Sequence, residues 1–184
     1  MGIQVDRYWF LCFNFGMLYD ITVPQFTKML SNLSAILEKG AQFAQLKKID
    51  MEVLLNSRLA PDQFNLTKQI QIACDTAKLS VARLTNKEAP THVDNEKTLP
   101  ELQSRIESVI QYLNTFKPTD FANAATVKVS QPRWDGQYLT GEEYALQHAI
   151  PNVYFHITTA YSILRHNGVE VGKKDYLGKM PFKR

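Results

Sequence analysis

Hydrophobic positions along the chain fall into four long stretches with helical spacing. In the first, Phe26, Met29, Leu30, Leu33 and Leu37 recur at steps of three and four, which places them on one helix face. Pro24 suits its first turn, where the N–H has no partner in any case, and Gly40 is a stop signal. The pattern resumes at once over residues 41–48, and residues 51–56 predict one short turn of helix. The second stretch, residues 66–84, has Asn65 as its N-cap. Leu66, Ile70, Ala73, Ala77, Val81 and Leu84 make one stripe, and Ile72, Leu79 and Ala82 a second, so this helix is buried on two sides. Asp75 lies on the second stripe as an unexpected charge. The third stretch opens on the capping box Thr98-Leu-Pro-Glu101, carries Leu102, Ile106, Val109, Ile110 and Leu113, and ends at Lys117-Pro118. A second capping box, Thr140-Gly-Glu-Glu143, opens the fourth. That helix runs to Asn167, with Gly168 as its cap and a kink expected at Pro151.

Between the helices the pattern changes. Residues 86–97 are polar and irregular, which predicts a solvated loop containing His92. Residues 126–130 alternate and are rich in β-branched side chains. Residues 134–139 follow with an Asp135-Gly136 turn signal, and the two segments predict a small hairpin leaning on the helices. Trp134 reads there as a packing anchor. The fold class is all-α: a four-helix bundle with short extra helical turns and a small β-hairpin. The long connection before the third helix leaves room for a crossover.

Composition alters this picture mainly at the two ends. A chain of 184 residues supports one domain with a full core. Five basic residues against two acidic ones over 170–184 account for the whole net charge of +3, so the remainder is neutral. A basic tail on a neutral body is not a nucleic-acid-binding face, and no nucleic acid partner is expected. No apolar run reaches the ~18 residues needed to cross a bilayer, so no membrane partner is expected either. Two cysteines, Cys12 and Cys74, make no disulfide scaffold and predict a reducing, cytoplasmic home. Residues 8–15 are strongly aromatic, and an arm of this kind is expected to pack on the body or on a partner subunit. The organisation is then an aromatic arm over residues 1–16, a bundle over 17–178 and a basic tail over 179–184.

Candidate chemistry gathers on the last helix, where His148, Asn152 and His156 are spaced by four and share a face. His148 and His156 stand about 12 Å apart along the axis at 1.5 Å per residue. Bonds of ~2 Å cannot bridge that gap to one ion unless the kink at Pro151 brings the two together. A single ion would therefore take Asn152 and His156 plus a group from another helix, for which Asp75 is the candidate. An Asp, Asn and His set suits a weakly held, oxygen-preferring divalent ion better than zinc. The structural alternative is that Asn152 and His156 bond to neighbouring side chains, Asp75 included, and set helix register. His166 lies in the last turn, where it favours the helix dipole, and Arg165 reads as a contact for Asp175. Nucleophile elbow, P-loop, dinucleotide fingerprint and Cys-x-x-Cys are all missing from the sequence.

Met17-Leu-Tyr-Asp-Ile-Thr-Val-Pro-Gln-Phe26, Leu59-Ala-Pro-Asp62 and Gln71-Ile-Ala-Cys-Asp75 carry a resemblance. Thr140-Gly-Glu-Glu143, Pro151-Asn-Val-Tyr-Phe-His156 and Ile163-Leu-Arg-His-Asn-Gly168 extend it over nearly the whole bundle. Together they resemble a bacterial domain-of-unknown-function family within the DinB/YfiT-like helical-bundle superfamily. The resemblance implies a four-helix bundle, often a homodimer. It implies that many relatives hold a divalent metal through three histidines, some of them as thiol-dependent transferases. His156 matches the second of two histidines four residues apart, and Asn152 stands where the first belongs. Cys74 and Asp75 occupy the neighbourhood expected for the third. One expectation is a small-molecule-binding or structural bundle with a polar pocket around Asp75, His148, Asn152 and His156. The alternative is a divalent-metal-dependent transferase or hydrolase with an altered ligand set. A third is an interaction module that uses the aromatic arm.

Overall fold

The computed structural model describes the backbone of residues 8–183 and the side chains of residues 16–183. The packing expected of the aromatic arm therefore lies outside the described residues. α1, Tyr8–Lys47, is one continuous helix through both Pro24 and Gly40, so the expected start and stop are corrected. Pro24 costs one intrahelical bond on the exposed side, while Val23, Phe26, Leu30 and Leu33 bury the other face, and burial outweighs the loss. Gly40 is a point of close approach, because a Cβ there would sit 3.2 Å from Leu164 Cδ2. The helix ends instead beside Lys48, at φ 55°. α2, Met51–Asn56, is capped by the Asp50 side chain.

α3, Leu66–Thr85, starts at Asn65, whose side chain accepts from the Lys68 N–H, and ends at Asn86 in the left-handed region. α4, Leu99–Leu113, follows its capping box, with Glu101 accepting from the Thr98 N–H at 2.9 Å. It stops before Lys117, and residues 118–121 form a 3₁₀ turn behind Pro118. The hairpin is smaller than the alternation predicts. β1, Lys128–Val129, pairs antiparallel with β2, Leu139–Thr140, in the register Lys128–Thr140 and Val129–Leu139. Trp134 closes a 3₁₀ turn between them, followed by Asp135 and Gly136 at positive φ.

The fourth helical stretch begins with α5, Gly141–Tyr144, and passes through a π-helical turn over residues 145–149 into α6, Ile150–His166. Pro151 has no N–H for the carbonyl of Gln147 and its ring would crowd that carbonyl. The chain widens one turn upstream, where the Ile150 N–H reaches Ala145 O. α7, Lys173–Leu177, ends the fold. Asp175 pairs there with Lys39 at 2.6 Å and accepts from the Gly172 N–H, which replaces the expected Arg165 contact.

α3 is the central element, packed most extensively on α6 and also on α4, while α1 covers α4, α6 and α7. The core runs through Phe26, Leu33, Ile70, Ala77, Leu102 and Ile157, all 0% exposed. This is the all-α bundle expected. At the joint between hairpin and α5, a Cβ on Gly141 would lie 1.7 Å from the Ala124 carbonyl oxygen. Gly141→Ala is expected to cost about 2 kcal/mol by forcing that backbone apart, read as a lower urea midpoint.

Candidate functional site

α3 presents two polar faces because its side chains recur every 3.6 residues. Gln69, Thr76, Ser80 and Arg83 fall on the side packed against the fourth helical stretch. Gln71, Asp75 and Lys78 fall on the side turned to α4 and to residues 86–97. The structure thereby divides the four sequence-expected pocket residues among three clusters rather than one.

The first cluster is a polar seam between α3 and α6. His156 is 7% exposed, and its Nδ1 lies 2.7 Å from Gln69 Oε1. Gln69 Nε2 donates to the Phe64 carbonyl at 3.1 Å. That bond fixes the amide orientation, so Gln69 Oε1 can only accept and His156 Nδ1 must carry the proton. Nε2 is then the nitrogen with the free lone pair. It has no partner among the described residues, yet it is not among the polar atoms sealed from solvent. Burial lowers the imidazole from 6.5 to about 4, so His156 is neutral at physiological pH. One turn away, Asn152 Nδ2 donates to Thr76 Oγ1 at 2.8 Å.

The second cluster continues the same seam. Ser80 donates to the Thr76 carbonyl, so its oxygen accepts from Tyr144 Oη at 3.3 Å, and Tyr144 Oη accepts from Arg83 Nη1 at 2.9 Å. The His148 ring stacks on Tyr144 at 5.3 Å and meets Trp134 edge-on at 5.5 Å. Its Nε2 accepts from Arg133 Nη2 at 3.0 Å. Burial, with the charges of Arg133 and Arg83, lowers its pKa.

The third cluster surrounds Arg105 of α4, which is 2% exposed. Nη2 donates to Asp75 Oδ1 at 2.7 Å, and Nη1 meets Asp94 Oδ1 at 2.9 Å and Glu96 Oε1 at 2.8 Å. Lys78 also pairs with Asp75 at 2.9 Å, Lys68 pairs with Asp94, and Gln71 donates to Glu96 at 2.9 Å. Burial works against the Arg105 cation, but the bond from Glu96 and the charges of Asp75 and Glu96 outweigh it and hold its pKa above the ordinary value. His92 is not a solvated loop residue. Its Nδ1 lies 2.6 Å from Lys78 Nζ and its Nε2 lies 3.2 Å from Ser108 Oγ. Burial and the Lys78 and Arg105 charges lower its pKa.

Asp75 is thus engaged by Arg105 and Lys78, on a face of α3 other than the one carrying the His156 and Asn152 partners. Among the described residues no three His, Cys, Asp or Glu side chains are grouped so as to hold a metal ion. Cys74 is buried, and its thiol is pushed up to about 12, mainly by burial. Gln69, Thr76, Ser80 and Arg83 were missed in the sequence, although their spacing of seven, four and three was a visible signal. Arg105 was not singled out there either. Nothing local marks it as buried.

Residues 18–177 match a family described as Domain of unknown function (DUF1993). The chain belongs to that family. A crystal structure of a DinB family member protein from Shewanella denitrificans is 68% identical, with 95% of this chain and 98% of that one covered, at a TM-score of 0.91. The DinB-like, all-α bundle is therefore shared between them. No curated protein matches the chain. No helix among the described residues is long and apolar enough to cross a membrane.

Proposed function

We propose that this DUF1993 protein is a small-molecule-binding bundle whose family metal site has been replaced by a neutral polar seam, and that it works in the cytoplasm as a homodimer. The observation that carries this reading is the set of groups gathered with His156. They are the amides of Gln69 and Asn152 and the hydroxyl of Thr76, already hydrogen-bonded to one another or to His156. One imidazole with neutral oxygen donors, and no carboxylate or thiolate, does not fit a tightly held catalytic divalent ion. What the seam offers a ligand is a fixed acceptor, His156 Nε2. Phe155 stands edge-on to its ring at 5.2 Å and is 56% exposed. Phe64, whose carbonyl orients Gln69, is 55% exposed. A compact molecule with an apolar body and one hydrogen-bond donor suits that edge.

A second reading has one observation in its favour. The Gln69 amide fixes the His156 tautomer in the way that an outer partner prepares a metal-ligating histidine. Under it the chain is a divalent-metal-dependent transferase, thiol-dependent, or a hydrolase, with His156 joined by Asn152 and a group from elsewhere. Elemental analysis of protein purified without chelator, followed by titration with zinc, nickel and manganese, separates the two. No near-stoichiometric metal is expected. Stoichiometric metal that disappears in His156→Ala would overturn the first reading in favour of the second. Light scattering on the purified chain tests the homodimer, and a monomeric mass would remove it.

A further inference from the structure

Away from His156, the end of the bundle that carries the hairpin holds two guanidinium groups with no carboxylate partner. Arg83 comes from the last turn of α3 and Arg133 from the turn between β1 and β2. Each meets only a neutral acceptor, Tyr144 Oη and His148 Nε2. Arg58 and Arg165 also show no ion pair among the described residues, but Arg83 and Arg133 alone are both bonded to one aromatic stack. The pair is brought together by one aromatic stack. Arg83 holds the Tyr144 end, Arg133 holds the His148 end, and both charges act on His148.

A further cost falls on the same spot. Arg133 donates to His148 Nε2, so the neutral ring carries its proton on Nδ1, and that buried N–H has no partner. An unpaired buried donor costs about 1–3 kcal/mol. The π-helical turn that accommodates Pro151 carries His148, which stacks on Tyr144. A hairpin anchor alone would be served by an apolar contact or by a carboxylate.

We propose that Arg83 and Arg133, mounted on the Tyr144–His148–Trp134 aromatic cluster, form a binding site for the oxyanion group of a small ligand, a phosphate or a carboxylate. The planar guanidinium fork matches such a group in two parallel hydrogen bonds. Trp134 meets Tyr144 at 6.2 Å and His148 at 5.5 Å, so its indole reports on occupancy. This proposal does not depend on the ligand or metal status of His156.

The experiment is a nitrogen-15 NMR titration of the full chain with sodium phosphate and, separately, sodium acetate, at constant chloride. The Trp134 indole signal is assigned with Trp134→Phe. A saturable shift of that signal is expected, together with an upward move of the His148 titration as the bound anion offsets the two arginines. Arg133→Gln, at an exposed position that leaves the core intact, should weaken the response about tenfold or more. Arg83→Gln should do the same, with circular dichroism confirming its fold. A response to phosphate alone assigns the site to phosphorylated ligands, one to acetate alone to carboxylates, and one to both to oxyanions at large. Each of these supports the proposal. No saturable shift with either anion, or a shift undiminished in Arg133→Gln, overturns it.

Discussion

Replacing Arg105 by alanine is expected to lower the free energy of unfolding by about 3–5 kcal/mol, the usual cost of removing one partner from a buried ionic cluster. The guanidinium is 2% exposed and holds three carboxylates from two places, Asp75 on α3 and Asp94 and Glu96 on the preceding loop. Without it, Lys78 still faces Asp75 and Lys68 still faces Asp94, but Glu96 keeps only the Gln71 amide. Arg105→Lys should recover little, because one ammonium cannot reach Asp75 on one side and Asp94 with Glu96 on the other. Urea denaturation of the three proteins measures this. A loss of under about 1 kcal/mol for the alanine variant would mean the cluster is solvated like a surface ion pair.

Lowering the pH should destabilise the fold through His156. In the unfolded chain the imidazole titrates near 6.5, and in the folded protein near 4. Above 6.5 it is neutral in both states and contributes no pH dependence. Between 6.5 and 4 the unfolded chain takes up a proton that the folded protein refuses, so stability falls as pH falls. Below 4 both states are protonated and the loss levels off at about 3 kcal/mol. His92 and His148, also shifted down, add in the same direction. Asp94 and Glu96, likewise held below the carboxylate range, add their loss at lower pH still. Stability profiles of the parent and His156→Gln should converge between pH 6.5 and 4, since the variant lacks that proton uptake. Parallel profiles, or an imidazole NMR titration near 6.5, would show that His156 is solvated.

His156 and Arg105 differ in how far the sequence reveals them. His156 stands out in the sequence as a polar group on an apolar helix, one turn from Asn152. Its partners do not. Gln69 and Thr76 become partners only because α3 lies against α6, a packing that no local pattern specifies. Asp75 was visible as a misplaced charge, but grouping it with His156 assumed that α3 turns one polar face inward. It turns two, about 140° apart at 100° per residue. Arg105 was not singled out at all, because an amphipathic helix places its charges outward by default. The polar loop over residues 86–97 folds back to supply Asp94 and Glu96 and buries it.

The helices, their buried faces, most of their caps and the bundle class were legible along the chain, because these depend on periodicity and on side chains acting within a few residues. The sequence also carried the family in short runs of residues. Where helices join was decided by tertiary packing. α1 passes through Gly40 because Leu164 packs against it, and the fourth stretch passes Pro151 because a π-helical turn absorbs the missing bond. The composition of each polar cluster was likewise settled only in three dimensions. Burying a charge or an imidazole is favourable only when its partners arrive from other elements, and which elements meet is a property of the whole fold.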